Sequence, residues 1–263
     1  SGAPALDLLA PASAEGTLQS DMTGLAMFPR VSLQSGRARV QRTESYEASY
    51  RRLMGAWTYS TAAYYDSIRD AAFTVAAPAG LLSSMDLLPD IASNSSIFNM
   101  GTYQSDGVMM AVSRSLGDDW SAGITYGWSG MLAPNGAEAT GGDPAAMRSH
   151  FSVEHRMWGS ARVSGLFRGT GTRLAGTYVW TPDGVVPSTH AWMTQRMGPQ
   201  TGLNVQVRQP LPSSGFIPGR FEMTAEVRNL LAAGYMPIPA RDGRSIYLVQ
   251  FPRSFRGGFS FIF

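Results

Sequence analysis

The chain has 263 residues, a formal net charge of +2 and no cysteine, which excludes thiolate metal sites, disulfide staples and a basic stripe for nucleic acid. Its mean hydropathy is -0.09 and no stretch approaches the ~18 apolar residues of a spanning helix, Phe73–Leu82 being broken by Pro78 and Gly80. With 29 glycines, 16 prolines and 11% aromatic residues, strands and turns are expected throughout, hence an all-β fold.

Residues 1–39 are rich in Ala, Pro, Gly and Ser and read as an irregular, loop-rich segment with one short strand near Thr23–Val31. From residue 40 to 263 a period-two alternation takes over, the signature of strands with one apolar and one polar face. Tyr46, Ala48 and Tyr50 oppose Ser45, Glu47, Ser49 and Arg51; after a reversal at Met54-Gly55, Trp57, Tyr59, Ala63 and Tyr65 oppose Thr58, Ser60 and Tyr64. A long irregular connection is expected over 66–96, then a strand over about Phe98–Ser115. There Val108, Met110 and Val112 share a side, and the unclear parity before Gly107 predicts a bulge.

Trp120, Ala122, Ile124, Tyr126 and Trp128 form the apolar side of the next strand. Phe151, Val153, Met157, Ala161, Val163 and Phe167 then oppose Glu154, Arg156, Arg162 and Arg168 over a length too great for a soluble sandwich. Leu174, Gly176, Tyr178 and Trp180 follow; Val205 and Val207 oppose Arg208, and Met223, Ala225 and Val227 oppose Glu222, Glu226 and Arg228. The last strand sets Phe255, Phe259, Phe261 and Phe263 against Ser254, Arg256, Gly258 and Ser260.

That makes about nine strands, most reaching the ~9–11 residues that a tilted membrane strand needs. Short turns near Gly55, Gly117, Gly169 and Ser213 alternate with long loops at 66–96, 133–146, 181–201 and 230–246. Sorting connections by length in this way is expected of an antiparallel up-and-down transmembrane β-barrel, with short periplasmic turns and long external loops. An odd strand count and the character of the opening segment give the expectation that the chain is the C-terminal part of a larger barrel, incomplete by itself.

A hydrated lumen accommodates charges that a dry core would not. Glu154, Arg156, Arg162, Arg168, Arg208, Glu222, Glu226 and Arg228 are therefore read as lumen-facing, forming cross-strand ion pairs and contacting a plug. His150 and Glu154 share a parity that His155 does not, so the three cannot converge on one ion; His190 lies in a loop without a carboxylate spaced to orient it. Asp118-Asp119 reads as a turn and Asp66 and Asp70 as the start of an external loop. The expectation is no metal, no cofactor and no catalytic residue. Trp57, Trp120, Trp128 and Trp180 fall near strand ends, as interfacial girdles do, leaving Trp158 and Trp192 as the better candidates for ligand contact.

Arg256, Gly258, Phe261 and Phe263 fit the pattern polar-x-Gly-x-x-apolar-x-apolar. This resembles the signal that ends bacterial outer-membrane barrels and is read by their barrel-assembly machinery. The stretch Glu226–Tyr235, with Asn229-Leu230 followed by Tyr235, resembles the penultimate-strand motif of TonB-dependent receptors, and Gly243-Arg244 stands where that family has a Gly-Arg before its closing strand. The resemblance implies a large outer-membrane barrel holding an N-terminal plug and coupled through it to the TonB complex, importing a scarce solute. The Oar-like branch, with a small regulatory domain before the plug, is one candidate subgroup. The partners implied are outer-membrane lipid, the assembly machinery, further N-terminal strands and the plug. The rival reading is a complete secreted or periplasmic all-β binding protein whose aromatic faces bury one another in a sandwich. A barrel enzyme acting on lipids lacks a nucleophile, base and orienting residue.

Overall fold

A computed structural model describes residues 30–77, 82, 85–89, 95–135, 144–193, 201–211, 220–240, 243–250 and 253–262. Phe263, the turn near Ser213 and all but the last residues of the Thr23–Val31 stretch lie outside these. The fold is all-β, with one six-residue helix, α1 (Pro144–Ser149), among the described residues. No helix among them is long and apolar enough to cross a membrane.

Nine strands build the larger sheet: β3 (Arg42–Met54), β4 (Trp57–Arg69), β8 (Tyr103–Leu116), β9 (Trp120–Pro134), β10 (Phe151–Phe167), β11 (Thr172–Trp180), β12 (Gly202–Pro210), β13 (Arg220–Arg228) and β16 (Ser254–Ile262). They lie side by side in chain order from β3 to β16, every neighbour antiparallel. The turns at one end are short: two residues at Gly55-Ala56, three at Gly117–Asp119 and four at Arg168–Gly171. Gly55, at φ 59°, supplies the positive φ that a two-residue hairpin of this kind asks for at its first position. Edge strands β3 and β16 are not hydrogen-bonded to each other, so the nine strands form an open sheet and no closed barrel.

The connections at the other end are not the irregular loops expected. Within them lie β5 (Ala72–Ala76), β6 (Leu87–Pro89), β7 (Ser96–Asn99), β14 (Tyr235–Pro239) and β15 (Ser245–Val249), while the stretch ahead of β3, expected to be irregular, holds β1 (Val31–Gln34) and β2 (Arg37–Val40); all seven join into a second sheet in the order β14-β15-β5-β7-β1-β2, with β6 also on β7. Short apolar runs such as AFTVA and SIYLV gain little as isolated strands and form here because they bury one another. Val75, Phe98, Ile238, Ile246 and Leu248 are essentially inaccessible, and the cluster reaches Ile68, Leu132 and Phe151 at the strand ends of the larger sheet. Pairing in this sheet is antiparallel apart from the single parallel contact Leu33–Phe98.

Two expectations are corrected here. The strand placed over Phe98–Ser115 is two elements in different sheets, β7 and β8, divided at Met100–Thr102. The bulge expected before Gly107 is absent, since β4 and β8 pair without interruption from Trp57–Arg114 to Ile68–Tyr103. Parity is hard to read there because Gln104 and Asp106 occupy the side that is apolar further along, while Ser105 and Gly107 fit beneath Tyr64 on the other.

Candidate functional site

The two faces of the nine-stranded sheet differ in kind. On one, Tyr59, Met110, Ile124, Tyr126, Met157, Val163, Tyr178, Met223, Phe255 and Phe259 are all exposed, Ile124 at 65% and Phe259 at 77%. The registers carry this apolar face unbroken from strand to strand: Val112 sits opposite Ile124, Ile124 opposite Ala161, and Val207 opposite Ala225. Exposed apolar patches on soluble monomers seldom exceed a few hundred Å², and larger ones mark interaction surfaces.

Aromatic residues mark two levels on that face. Trp57 and Tyr65 on β4, like Trp120 and Trp128 on β9, are eight residues apart. Near Trp120, the Phe167 ring makes an edge contact at 5.0 Å, and Phe221 and Phe261 meet at 4.6 Å. Trp180 and Phe255 stand at the opposite level. At ~3.3 Å of rise per residue the two levels are ~26 Å apart along the strands. A strand tilt of ~40° would turn this into ~20 Å of height, close to the ~25 Å apolar band of outer-membrane barrels.

The opposite face is polar except where residues 185–192 cover the buried cluster Ala62, Met109, Met131 and Trp158. It carries Glu154, Arg156, Arg162, Arg208, Glu222, Glu226 and Arg228, together with Arg256, which stands directly across from Glu226. Only Arg208 and Glu222, both buried and 4.0 Å apart, form a cross-strand ion pair within this set. Arg228 pairs with Glu226 along β13 at 2.6 Å, and Arg156 with Glu154 along β10, so the expectation of cross-strand pairing is corrected for these two. Residues two apart on a strand share a face, and their long side chains reach one another there.

Arg168 leaves the set altogether. It lies beyond β10 in the turn, where Asp119 at 2.6 Å and Asp118 at 3.4 Å on the neighbouring turn hold its guanidinium above its usual pKa, the Asp119 hydrogen bond first. Among the other predicted motif residues, Asn229 is buried at the end of β13 with φ 51°, and its N–H donates to Asn204 Oδ1 at 3.0 Å. Leu230 and Tyr235 are exposed. Gly243-Arg244 turns β14 into β15 and does not lead into the closing strand, which corrects its expected position. Gly258 sits against Thr224 on β16, and Phe261 faces the apolar side.

The densest chemistry lies on the polar face, at residues not expected to act together. Residues 181–193, read as the start of an external loop, run back across β3, β4, β9 and β10. His190 Nδ1 lies 3.1 Å from both oxygens of Asp66, and its Nε2 lies 3.2 Å from Glu47 Oε2. Both ring nitrogens thus meet a carboxylate, and all three side chains are almost wholly buried. Ser45 Oγ donates to Asp66 at 2.6 Å, and the backbone N–H of Met193 donates to Glu47 at 2.9 Å. The His190 ring stacks on Tyr64 with centroids 4.0 Å apart and meets Trp192 edge-on, while Tyr64 bonds Ser188 and Ser105.

No family model, curated protein or solved structure matches this chain.

Three expectations are corrected by this cluster. Asp66 belongs to β4, which runs on to Arg69, and not to a loop. His190 does have orienting carboxylates, from residues 143 and 124 positions earlier in the chain. Trp158 and Trp192 are each about 4% exposed and pack with Tyr64, Met109 and Met131, so they serve as core and are not open to a ligand. Gly127 makes this possible, since a Cβ there would meet the Trp158 indole at 2.2 Å.

Chemically the cluster is a clamp. The carboxylates approach the imidazole from opposite edges and do not converge, and among the described residues no three His, Cys, Asp or Glu side chains are grouped to hold a metal. Ser45 Oγ lies 3.4 Å from His190 Nδ1 but donates its proton to Asp66 at 2.6 Å, and Nε2 meets Glu47, so carboxylates hold the imidazole at both nitrogens and the serine proton goes to Asp66. The remaining histidines stand apart. His150 is buried beside Phe151, and burial pushes its pKa down. His155 stacks on Trp128 on the apolar face and reaches Asp106 at 3.0 Å.

Proposed function

We propose that this chain is the C-terminal wall of a bacterial outer-membrane β-barrel receptor or transporter of the TonB-dependent type, serving passage of a solute and performing no catalysis of its own. The observation that carries the reading is the continuous exposed apolar face with aromatic residues at two levels, set against a polar face on the same strands. Hydrocarbon would wet the first, while water and solute would meet the second. Every central strand has its backbone groups satisfied by neighbours, as hydrocarbon demands. The separation of short turns from long connections gives the wall a direction, with the short turns periplasmic.

The receptor type rests on Asn229-Leu230 and Tyr235, and assembly on the pattern made by Arg256, Gly258, Phe261 and Phe263. Among the described residues no strand pairs with the outer edges of β3 and β16; a larger barrel would contribute further strands there, and a plug and its TonB partner would lie on the polar side. Flotation tests the membrane part. Diluted from urea into phospholipid vesicles, the chain is expected to rise with the lipid and to stay there through high-salt and carbonate washes. Recovery as a soluble, lipid-free monomer would overturn the proposal.

A further inference from the structure

Charges on the apolar face of the nine-stranded sheet are few, and its two ends carry them differently. Toward the long connections stand Arg42, Glu44, Arg69, Asp106 and His155, with Arg69 4.0 Å from Glu44 and His155 3.0 Å from Asp106. Toward the short turns stand Arg52 and Arg114, both exposed. Among the described residues neither of these two is ion-paired with a carboxylate, since the acids of this face, Glu44 and Asp106, are both at the far end.

The two arginines frame an aromatic pair. Arg52 of β3 stands directly opposite Tyr59 and Arg114 of β8 directly opposite Trp57, so that all four side chains share one face with β4 in the middle. The Trp57 and Tyr59 rings stack with centroids 6.4 Å apart, and the Arg114 guanidinium lies over the Trp57 indole at 5.0 Å. Two strand spacings and two residues of rise put the arginine Cα atoms ~12 Å apart. Their long side chains can close that span around one group held between them.

The registers give their depth. Trp57 is opposite Arg114 and Arg114 opposite Ala122, so over two strands the aromatic level moves two residues toward the short turns, to Trp120. At the other level Trp180 is opposite Gly159 and Gly159 opposite Tyr126, again two residues from Trp128 in the same direction over two strands. One residue per strand, ~3.3 Å of rise over ~4.8 Å of spacing, corresponds to a strand tilt of ~35°, as in membrane barrels. On that slope Arg52 and Arg114 each lie within one residue of the Trp57 level, where an interfacial aromatic girdle meets the headgroups. A cation held there without a carboxylate beside it has lipid phosphate as its counter-charge.

We infer that Arg52 and Arg114, with Trp57 and Tyr59 between them, bind the phosphate of an anionic phospholipid in the leaflet on the short-turn side. The inference rests on the barrel-wall reading, because only there do these side chains meet lipid.

The test uses the full chain in phosphatidylcholine vesicles in which a minor fraction of the lipid is brominated on its acyl chains near the headgroup. That fraction is phosphatidylglycerol in one arm and phosphatidylcholine in the other; both leaflets are alike, so the direction of insertion does not matter. Brominated phosphatidylglycerol is expected to quench tryptophan emission at least twofold more than brominated phosphatidylcholine. The excess should vanish in Trp57→Phe and in the double variant Arg52→Gln, Arg114→Gln; the single variants, each expected to lose about half of it, serve where the double variant does not float with the vesicles. Equal quenching by the two lipids in a chain that floats overturns the headgroup site and leaves the wall reading standing. An excess that survives in the arginine variants overturns it as well. An excess abolished by inorganic phosphate, but not by chloride at the same ionic strength, would assign the pair to free phosphate and overturn the lipid partner. A chain that does not float overturns the wall reading, and this inference falls with it.

Discussion

Arginine in place of Ile124 is expected to lower the stability of the vesicle-inserted chain by about 2–4 kcal/mol, the penalty for a cation on the lipid face near the bilayer midplane. Ile124 lies on β9 midway between Trp120 and Trp128 and is 65% exposed. The size of the effect depends wholly on what surrounds it. In water an exposed Ile→Arg change falls within about 0.5 kcal/mol of neutral, whereas hydrocarbon offers the guanidinium no hydrogen-bond partner. Ser113→Arg supplies the comparison, being exposed on the polar face, and should stay within about 0.5 kcal/mol. Urea unfolding in vesicles, followed by tryptophan emission, measures both, and equal small effects would contradict the assignment of the apolar face to lipid.

Asp66→Ala should cost about 3 kcal/mol in the same assay, because it strips buried His190 Nδ1 and the Ser45 hydroxyl of their shared acceptor. The neighbouring Asp106 also meets a histidine, His155, at 3.0 Å, yet it is half exposed. Asp106→Ala is accordingly expected to cost at most about 1 kcal/mol. Similar losses at the two positions would mean that water reaches the clamp, and residues 183–193 would then be held by Val185 and Trp192 alone.

The nine long strands were legible in the sequence because each carries its own alternation, and the parities of Trp57 to Tyr65, Ile124 to Trp128 and Met157 to Phe167 coincide with the exposed face. The second sheet was not legible. Its strands are three to five residues long, too short for a period to declare itself, and Ala72–Ala76 gains a partner only from residues more than twenty positions away. Gly243-Arg244 misled for a related reason: a hairpin turn in the second sheet has the same Gly-Arg composition as an approach to the closing strand.

The clamp was half visible. Counting back from Gly55 puts Ser45 opposite Asp66 and Glu47 opposite Tyr64, so two carboxylates on one face of one hairpin were available to inspection. What no spacing rule supplies is His190, whose position depends on residues 181–193 turning toward the polar face and not away from it. The buried apolar residues Val185, Val186 and Trp192 are the signal in that stretch, since a solvated loop gains nothing from them.

The most direct measurement is tryptophan quenching in vesicles. Trp57, Trp120, Trp128 and Trp180 are all at least 40% exposed or at the rim of the apolar face, while Trp158 and Trp192 are buried. Lipids brominated on their acyl chains near the headgroup should remove most of the emission, leaving a residue from the two buried indoles, and aqueous iodide should remove little. Strong quenching by iodide with none from the brominated lipid would put water against those rings and contradict the account.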